Sequence, residues 1–198
     1  MTSATQLKEA AQGAPGFLGV FSSDNLPTRF EPGESLIANY DAKDRPGSHW
    51  IAMKRVPDGS GLYFDSFGLA PDAEDNILHD RTTFGKWLQA HSTGPIRWNR
   101  FDFQSLADNT CGQWATTFVK IGVLPPPSTS PADRLVHKRV THLIHAGRLD
   151  PDPSQKWSPF MAGSASKRDA FVARMFNTYK RTGPLLAYAN SFTRTNRH

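Results

Sequence analysis

Between Cys111 and Gly122 lies a segment that is stable only if the rest of the chain surrounds it. Trp114, Phe118 and Ile121 recur at i, i+4 and i+7, and Ala115, Val119 and Gly122 fill the neighbouring stripe. A helix with that pattern is apolar on most of its sides, so it belongs in a core. Asn109 or Thr110 stands where an N-cap is expected. Pro125-Pro126-Pro127 predicts the end of the helix. The fold must therefore place one helix centrally and pack other layers around it.

The material for those layers is present. Of 198 residues, 38% are hydrophobic and 11% aromatic, which excludes wholesale disorder and fits one domain. No run approaches the ~18 apolar residues of a membrane span, so no membrane partner is expected. The N-terminal MTSATQLKEAAQGAP lacks a basic start followed by an apolar stretch, and a secreted product is not expected. Residues 1–15 are predicted to be weakly ordered, with a short helix around Gln6–Ala11.

Strand signals follow. Ser35–Tyr40 is short and apolar; Ser48–Val56 alternates and is bounded by Pro46–Gly47 and Pro57–Gly59; Gly61–Phe67 is rich in aromatics. The turn at residues 57–61 reads as a hairpin loop. Thr82–Ala90 predicts a short helix and Ile96–Phe103 a strand. Ala132–Ala146 and Lys167–Thr182 read as amphipathic basic helices around a Pro-rich connection. Strands first and helices later predict an α+β class, with a mixed or antiparallel sheet packed with helices. The organisation expected is a single domain over 1–198: a catalytic core over 16–125 and a basic helical part over 126–198.

Charge divides at the same place. Residues 1–130 carry 11 Lys and Arg against 14 Asp and Glu, net −3; residues 131–198 carry 12 against 4, net +8. A basic stretch of this kind suits a polyanion, and no zinc-finger, helix-turn-helix or RNA-recognition signature accompanies it. Any binding of DNA through residues 131–198 would be nonspecific and salt-sensitive. His137, His142 and His145 share a predicted helix without acidic or Cys partners, which favours a solvated face over a metal site. Gly59 and Gly61 lack the remainder of a phosphate-loop motif, and a hairpin turn accounts for them.

The chemistry centres on the single cysteine. It excludes an internal disulfide and a thiolate zinc site. At a helix N-terminus, partial positive charge and free N–H groups favour a thiolate and offer a donor to an oxyanion. Gly112 leaves room beside it for a substrate backbone. His49 is predicted on one strand of the hairpin and Asp65 on the next, where antiparallel pairing brings them to one face. His49 would then serve as base and acid, and Asp65 would orient its ring. Gln104, seven residues before Cys111, is the candidate second oxyanion donor.

The string Gly47-Ser48-His49-Trp50, then Tyr63-Phe64-Asp65-Ser66-Phe67-Gly68, then Gln104 followed by six residues and Cys111-Gly112, resembles the adenovirus protease (adenain) family. Phe17-Leu18-Gly19-Val20-Phe21 resembles that family's N-terminal region. The likeness covers roughly residues 15–125 and extends to the clan that includes the SUMO-deconjugating proteases. It implies a cysteine endopeptidase with a Cys-His-Asp triad that cleaves Gly-containing sites. Cys111 would be nucleophile, His49 base, Asp65 orienter and Gln104 oxyanion donor, with Trp50 and Gly112 shaping the substrate slot.

The resemblance further implies a monomeric enzyme that matures virion precursor proteins in the virion and in the nucleus of the infected cell. The chemistry itself needs no cofactor. DNA and a viral activating peptide are the auxiliary factors implied. With one Cys in the chain, such a peptide would bind noncovalently. Met161-Ala162-Gly163-Ser164-Ala165 resembles the small-residue sites such enzymes cut. Two other readings remain: a protease deconjugating ubiquitin-like modifiers, and a non-catalytic basic DNA-binding virion protein.

Overall fold

A computed structural model of the chain describes residues 2–71, 84–125, 153–161 and 163–195. Among them are four α-helices and five strands, so the class is α+β. The elements run α1 Ala4–Ala11, β1 Phe17–Ser22, β2 Ser35–Asn39, β3 Trp50–Arg55, β4 Gly61–Phe64, α2 Phe84–Ala90, β5 Ile96–Trp98, α3 Cys111–Ile121, a 3-10 segment Pro153–Phe160, and α4 Ala165–Thr195. The strands lie in sequence order in one mixed sheet. β1 pairs parallel with β2, β2–β3 and β3–β4 are antiparallel, and β4–β5 is parallel.

Every residue of β2 and β4 is buried, because the sheet is covered on both sides. Side chains alternate across the pleat. The aligned positions Ile37, Ala52 and Phe64 face a core shared with α1, α3 and α4. Their neighbours Leu36, Met53 and Tyr63 face a second core with Phe30 and with Phe84 and Leu88 of α2. Ala52 lies beside Phe64, and α3 contributes Phe118, whose ring stacks on Phe64 at 5.2 Å. Trp157 stacks on the same ring at 5.3 Å. The apolar helix read from the sequence is thus buried as expected.

Several boundaries differ from the sequence reading, each for a local reason. β4 stops at Phe64 because Asp65 opens a turn closed by a hydrogen bond from Gly68 N–H to Asp65 O at 2.9 Å. The strand expected over Ile96–Phe103 is three residues long, because the Asn99 side chain takes the backbone partners that would continue the ladder. α3 ends before the prolines: Gly122, at φ 80°, closes it by donating to Phe118 O at 2.7 Å. α4 is longer than the predicted Lys167–Thr182. The predicted helix Ala132–Ala146, with His137, His142 and His145, lies outside the described residues. The hairpin at 57–61 is present, and Gly59 O accepts from Thr93 and Gly94 N–H.

The N-terminal segment, expected to be weakly ordered, is instead part of the core. Ser3 and Gln6 form a capping box at the start of α1. Leu7, Ala10 and Ala11 are fully buried, and α1 packs on both α3 and α4. Leu7→Ala is expected to lower the unfolding free energy by about 2–5 kcal/mol, the range for truncating a buried Leu. Chemical denaturation measures this. A change near zero would place α1 outside the cooperative core.

Candidate active site

His49 precedes β3 and Asp65 follows β4, so the hairpin brings both to the same end of the sheet. His49 Nε2 lies 3.1 Å from Asp65 Oδ1. A carboxylate only accepts, so Nε2–H donates and Nδ1 is left for a second partner. Cys111, the first residue of α3, belongs to the same buried cluster as Trp50 and Phe64 and stands near enough to His49 to raise the pKa of the imidazole. The structure therefore brings three residues singled out from the sequence together, with the His49–Asp65 hydrogen bond at their centre.

Asp65 has no exposed surface, which makes its partners obligatory. Oδ1 accepts from His49 and from Phe67 N–H at 2.7 Å. Oδ2 accepts from the Tyr40 hydroxyl at 2.9 Å. Tyr40 has one proton to give, so the 2.9 Å contact between Tyr63 and Tyr40 is a donation from Tyr63. Asn99 holds the backbone of Asp65 from both sides: its Oδ1 accepts from Asp65 N–H at 2.9 Å, and its Nδ2 donates to Asp65 O at 2.6 Å.

Each residue of the Asp65-Ser66-Phe67-Gly68 turn has a task. Phe67 stacks on the His49 ring at 5.1 Å, with Tyr40 tilted against the ring at the same distance. Gly68, at φ 73°, packs so close to the Phe101 backbone that a Cβ would come within 3.1 Å of it. Ser66 O accepts from the N–H groups of Phe103 and Gln104. The Ser66 hydroxyl donates to Gln104 Oε1 at 2.8 Å.

That last bond fixes which way the Gln104 amide faces. Nε2 donates one proton to Asp108 O and keeps a second. Gln104 is buried, on the irregular stretch between β5 and α3. In α3 the first intrahelical bond is Trp114 N–H to Thr110 O, at 3.0 Å. The N–H groups of Cys111, Gly112 and Gln113 precede any i−4 partner. Thr110 stands at the N-cap but makes no side-chain cap. Its hydroxyl donates to Asp169 instead.

Trp50 and Gly112, expected to shape a substrate slot, make their observed contacts with the N-terminal segment. Trp50 Nε1 donates to Thr2 O at 3.1 Å. A Cβ on Gly112 would meet Leu7 Cδ2 at 2.9 Å, Trp50 Cδ1 at 3.2 Å and Thr2 Cβ at 3.3 Å. A side chain at residue 112 would therefore have to push the Leu7 and Trp50 side chains aside. Within the Met161–Ala165 string, Met161 is buried and Gly163 O accepts from Arg168 at 2.8 Å, while Gly163 and Ser164 are exposed.

Sequence reasoning missed Tyr40, Asn99 and Asp169. Asn99 carried a faint signal: a short amide residue at the end of an apolar strand needs a backbone partner. Among the described residues no group of His, Cys, Asp and Glu could hold a metal. No helix among them is long and apolar enough to cross a membrane. No protein-family model matches the chain, and no curated protein matches its sequence.

Burial alone would lower the pKa of His49. The charge and hydrogen bond of Asp65, followed by the hydrogen bond and charge of Cys111, outweigh it and raise the value from 6.5 to about 10. The folded protein thus holds the imidazolium through neutral pH. The stabilisation this brings is complete below the unfolded value of 6.5 and is lost as pH rises through about 10. Asp65→Asn removes the largest raising influence, so the His49 titration is expected to move to lower pH. Ring-proton NMR measures this. An unmoved titration would mean that another group holds the proton.

Proposed function

We propose that the protein is a cysteine endopeptidase with a fold of the adenain kind, cleaving Gly-containing sites in virion precursor proteins. The observation that carries this reading is the grouping of Asp65, His49 and Cys111, with the Gln104 amide held by Ser66 and by Asp108 O, three residues before α3. Those four residues occur in the order and spacing of the family that the sequence resembles.

The chemistry follows from the atoms. The Cys111 thiolate attacks the scissile carbonyl carbon, and the carbonyl electron pair moves onto oxygen. The N–H of Cys111 and the second Nε2 proton of Gln104 receive that oxyanion. Collapse breaks the C–N bond, and the His49 imidazolium gives its proton to the leaving amine. Water then attacks the thioester, with His49 taking a proton, and the acid leaves as the thiol is restored. Asp65 holds the ring throughout and stabilises its cation.

Under this reading Cys111→Ala abolishes hydrolysis of peptides while leaving the fold intact. Gln104→Ala lowers kcat about 10²–10³-fold, the usual cost of one oxyanion donor. Wild type and both variants are compared on a peptide library, with cut sites mapped by mass spectrometry. Hydrolysis that survives in Cys111→Ala would end the proposal. Preferred cleavage after the Gly-Gly tail of a ubiquitin-like modifier would move the enzyme to the deconjugating branch.

The resemblance also implies DNA as an auxiliary factor. What supports it is the basic C-terminal part, where Arg174, Asn177, Thr178, Lys180 and Arg181 of α4 line an open cavity of about 590 Å³. Each phosphate neutralised contributes about 0.9 to the slope of log affinity against log salt. Replacing Arg174 and Arg181 by Ala is expected to flatten that slope by about 2. An unchanged slope would place DNA elsewhere on the protein.

A further inference from the structure

The triad and Gln104 leave one buried charged pair unexplained. Arg168 and Asp169 are only 9% and 3% exposed, near the start of α4. Asp169 Oδ2 accepts from Ser105 N–H at 2.9 Å. Its Oδ1 accepts from the Thr110 hydroxyl and from Trp114 Nε1–H, the latter at 2.9 Å. Arg168 donates to the carbonyls of Gly163 at 2.8 Å, Asp102 at 3.1 Å and Phe103 at 3.4 Å. Its guanidinium stands 4.9 Å over the Phe101 ring.

Apart from Gly163, these partners lie on or beside the strap of residues 99–110. The strap has neither helix nor strand, so its polar groups must find partners elsewhere. Asn99 and Ser66 hold its first half against the Asp65 turn. Arg168 adds hydrogen bonds to Asp102 and Phe103 in that half, and Asp169 holds the second half at Ser105 and Thr110. Ser105 directly follows Gln104, Thr110 directly precedes Cys111, and Trp114 lies one turn into α3. One carboxylate therefore ties the segment carrying Gln104 to the helix carrying Cys111.

We propose that Asp169, with Arg168 beside it, is a positioning residue. It fixes the Gln104 amide and the first turn of α3 relative to each other, so that the two oxyanion donors converge on one point. This inference rests on the protease reading above. It gives the C-terminal helix a part in catalysis that is separate from binding a polyanion. A carboxylate is required because all three of its partners are donors; an amide would turn an N–H towards one of them. A shift of about 1 Å in such a donor set costs roughly 10²-fold in rate.

The test uses the full chain and five proteins: wild type, Cys111→Ala, Asp169→Asn, Thr110→Val and Thr110→Ser. Iodoacetamide titration counts the reactive Cys111 thiols, and kcat is expressed per titrated thiol. Asp169→Asn is expected to lower that kcat at least about tenfold, with KM within about twofold. The pH profile of alkylation is expected to stay in place, because His49 and Asp65 are untouched. Thr110→Val should lower kcat by a smaller factor, and Thr110→Ser should restore it.

If Asp169→Asn fails to fold, the Thr110 pair decides: wild-type kcat per thiol in Thr110→Val overturns the inference. So does a loss of titratable thiol in Asp169→Asn with unchanged kcat on the remainder, which would mark a purely structural role. A wild type without Cys111-dependent hydrolysis overturns the protease reading and this inference with it. An active wild type with unaffected variants removes this inference alone.

Discussion

The site depends on a carboxylate that water does not reach. An unpaired buried charge costs several kcal/mol, so Asp65 is tolerable only because each of its oxygens is occupied by a donor. Those donors come from different parts of the chain: Tyr40 at the end of β2, His49 before β3 and Phe67 in the turn after β4. Satisfying one carboxylate therefore fixes how three consecutive strands end. The imidazole is one of the donors, so its orientation follows from the same requirement. The proton that burial would strip from it is retained because the charge beside it is equally shielded from solvent.

A second constraint runs through the irregular strap between β5 and α3. A segment without a ladder of its own is precise only if its groups are held one by one. Here the turn after β4 holds the first half, and α4 reaches both halves, through Arg168 to Asp102 and Phe103 and through Asp169 to Ser105 and Thr110. The site is therefore assembled from the hairpin and from the C-terminal helix, although α4 begins more than fifty residues after Cys111. Proximity in sequence explains the His49–Asp65 half; only tertiary packing explains the Gln104–Cys111 half.

That division also accounts for what could be read from the chain alone. The central helix, the hairpin and the residues His49, Asp65, Gln104 and Cys111 carry local signals: apolar periodicity, turn residues and a distinctive order of chemical groups. Tyr40 and Asp169 carry none and Asn99 only a faint one, because a Tyr ending a strand or an Asp in a basic helix looks like surface until its partners are known. β1 escaped for a related reason. Four of its six residues are half-buried, with no alternation to mark a strand face, and its pairing with β2 is parallel, so no hairpin announces it. Gly112 was legible as a glycine, but its packing beside Leu7 and Trp50 was not, since a glycine set against neighbouring side chains has the same sequence signature as one left open for a ligand.

The burial of the reacting groups bears on what the proposed enzyme could accept. Cys111 is 4% exposed and His49 8%, so a scissile carbonyl has little surface by which to reach the sulfur. α1 closes one side through Leu7 and Thr2, and the rings of Tyr40 and Phe67 flank the imidazole. A bulky side chain at the reacting carbon would have to displace one of these packed groups, and close-packed interiors resist such shifts at a cost of about 1–3 kcal/mol. A residue without a side chain displaces none of them. The close packing that holds the imidazole against Asp65, whose charge keeps it protonated against the effect of burial, therefore also favours glycine at the bond to be cut on this reading.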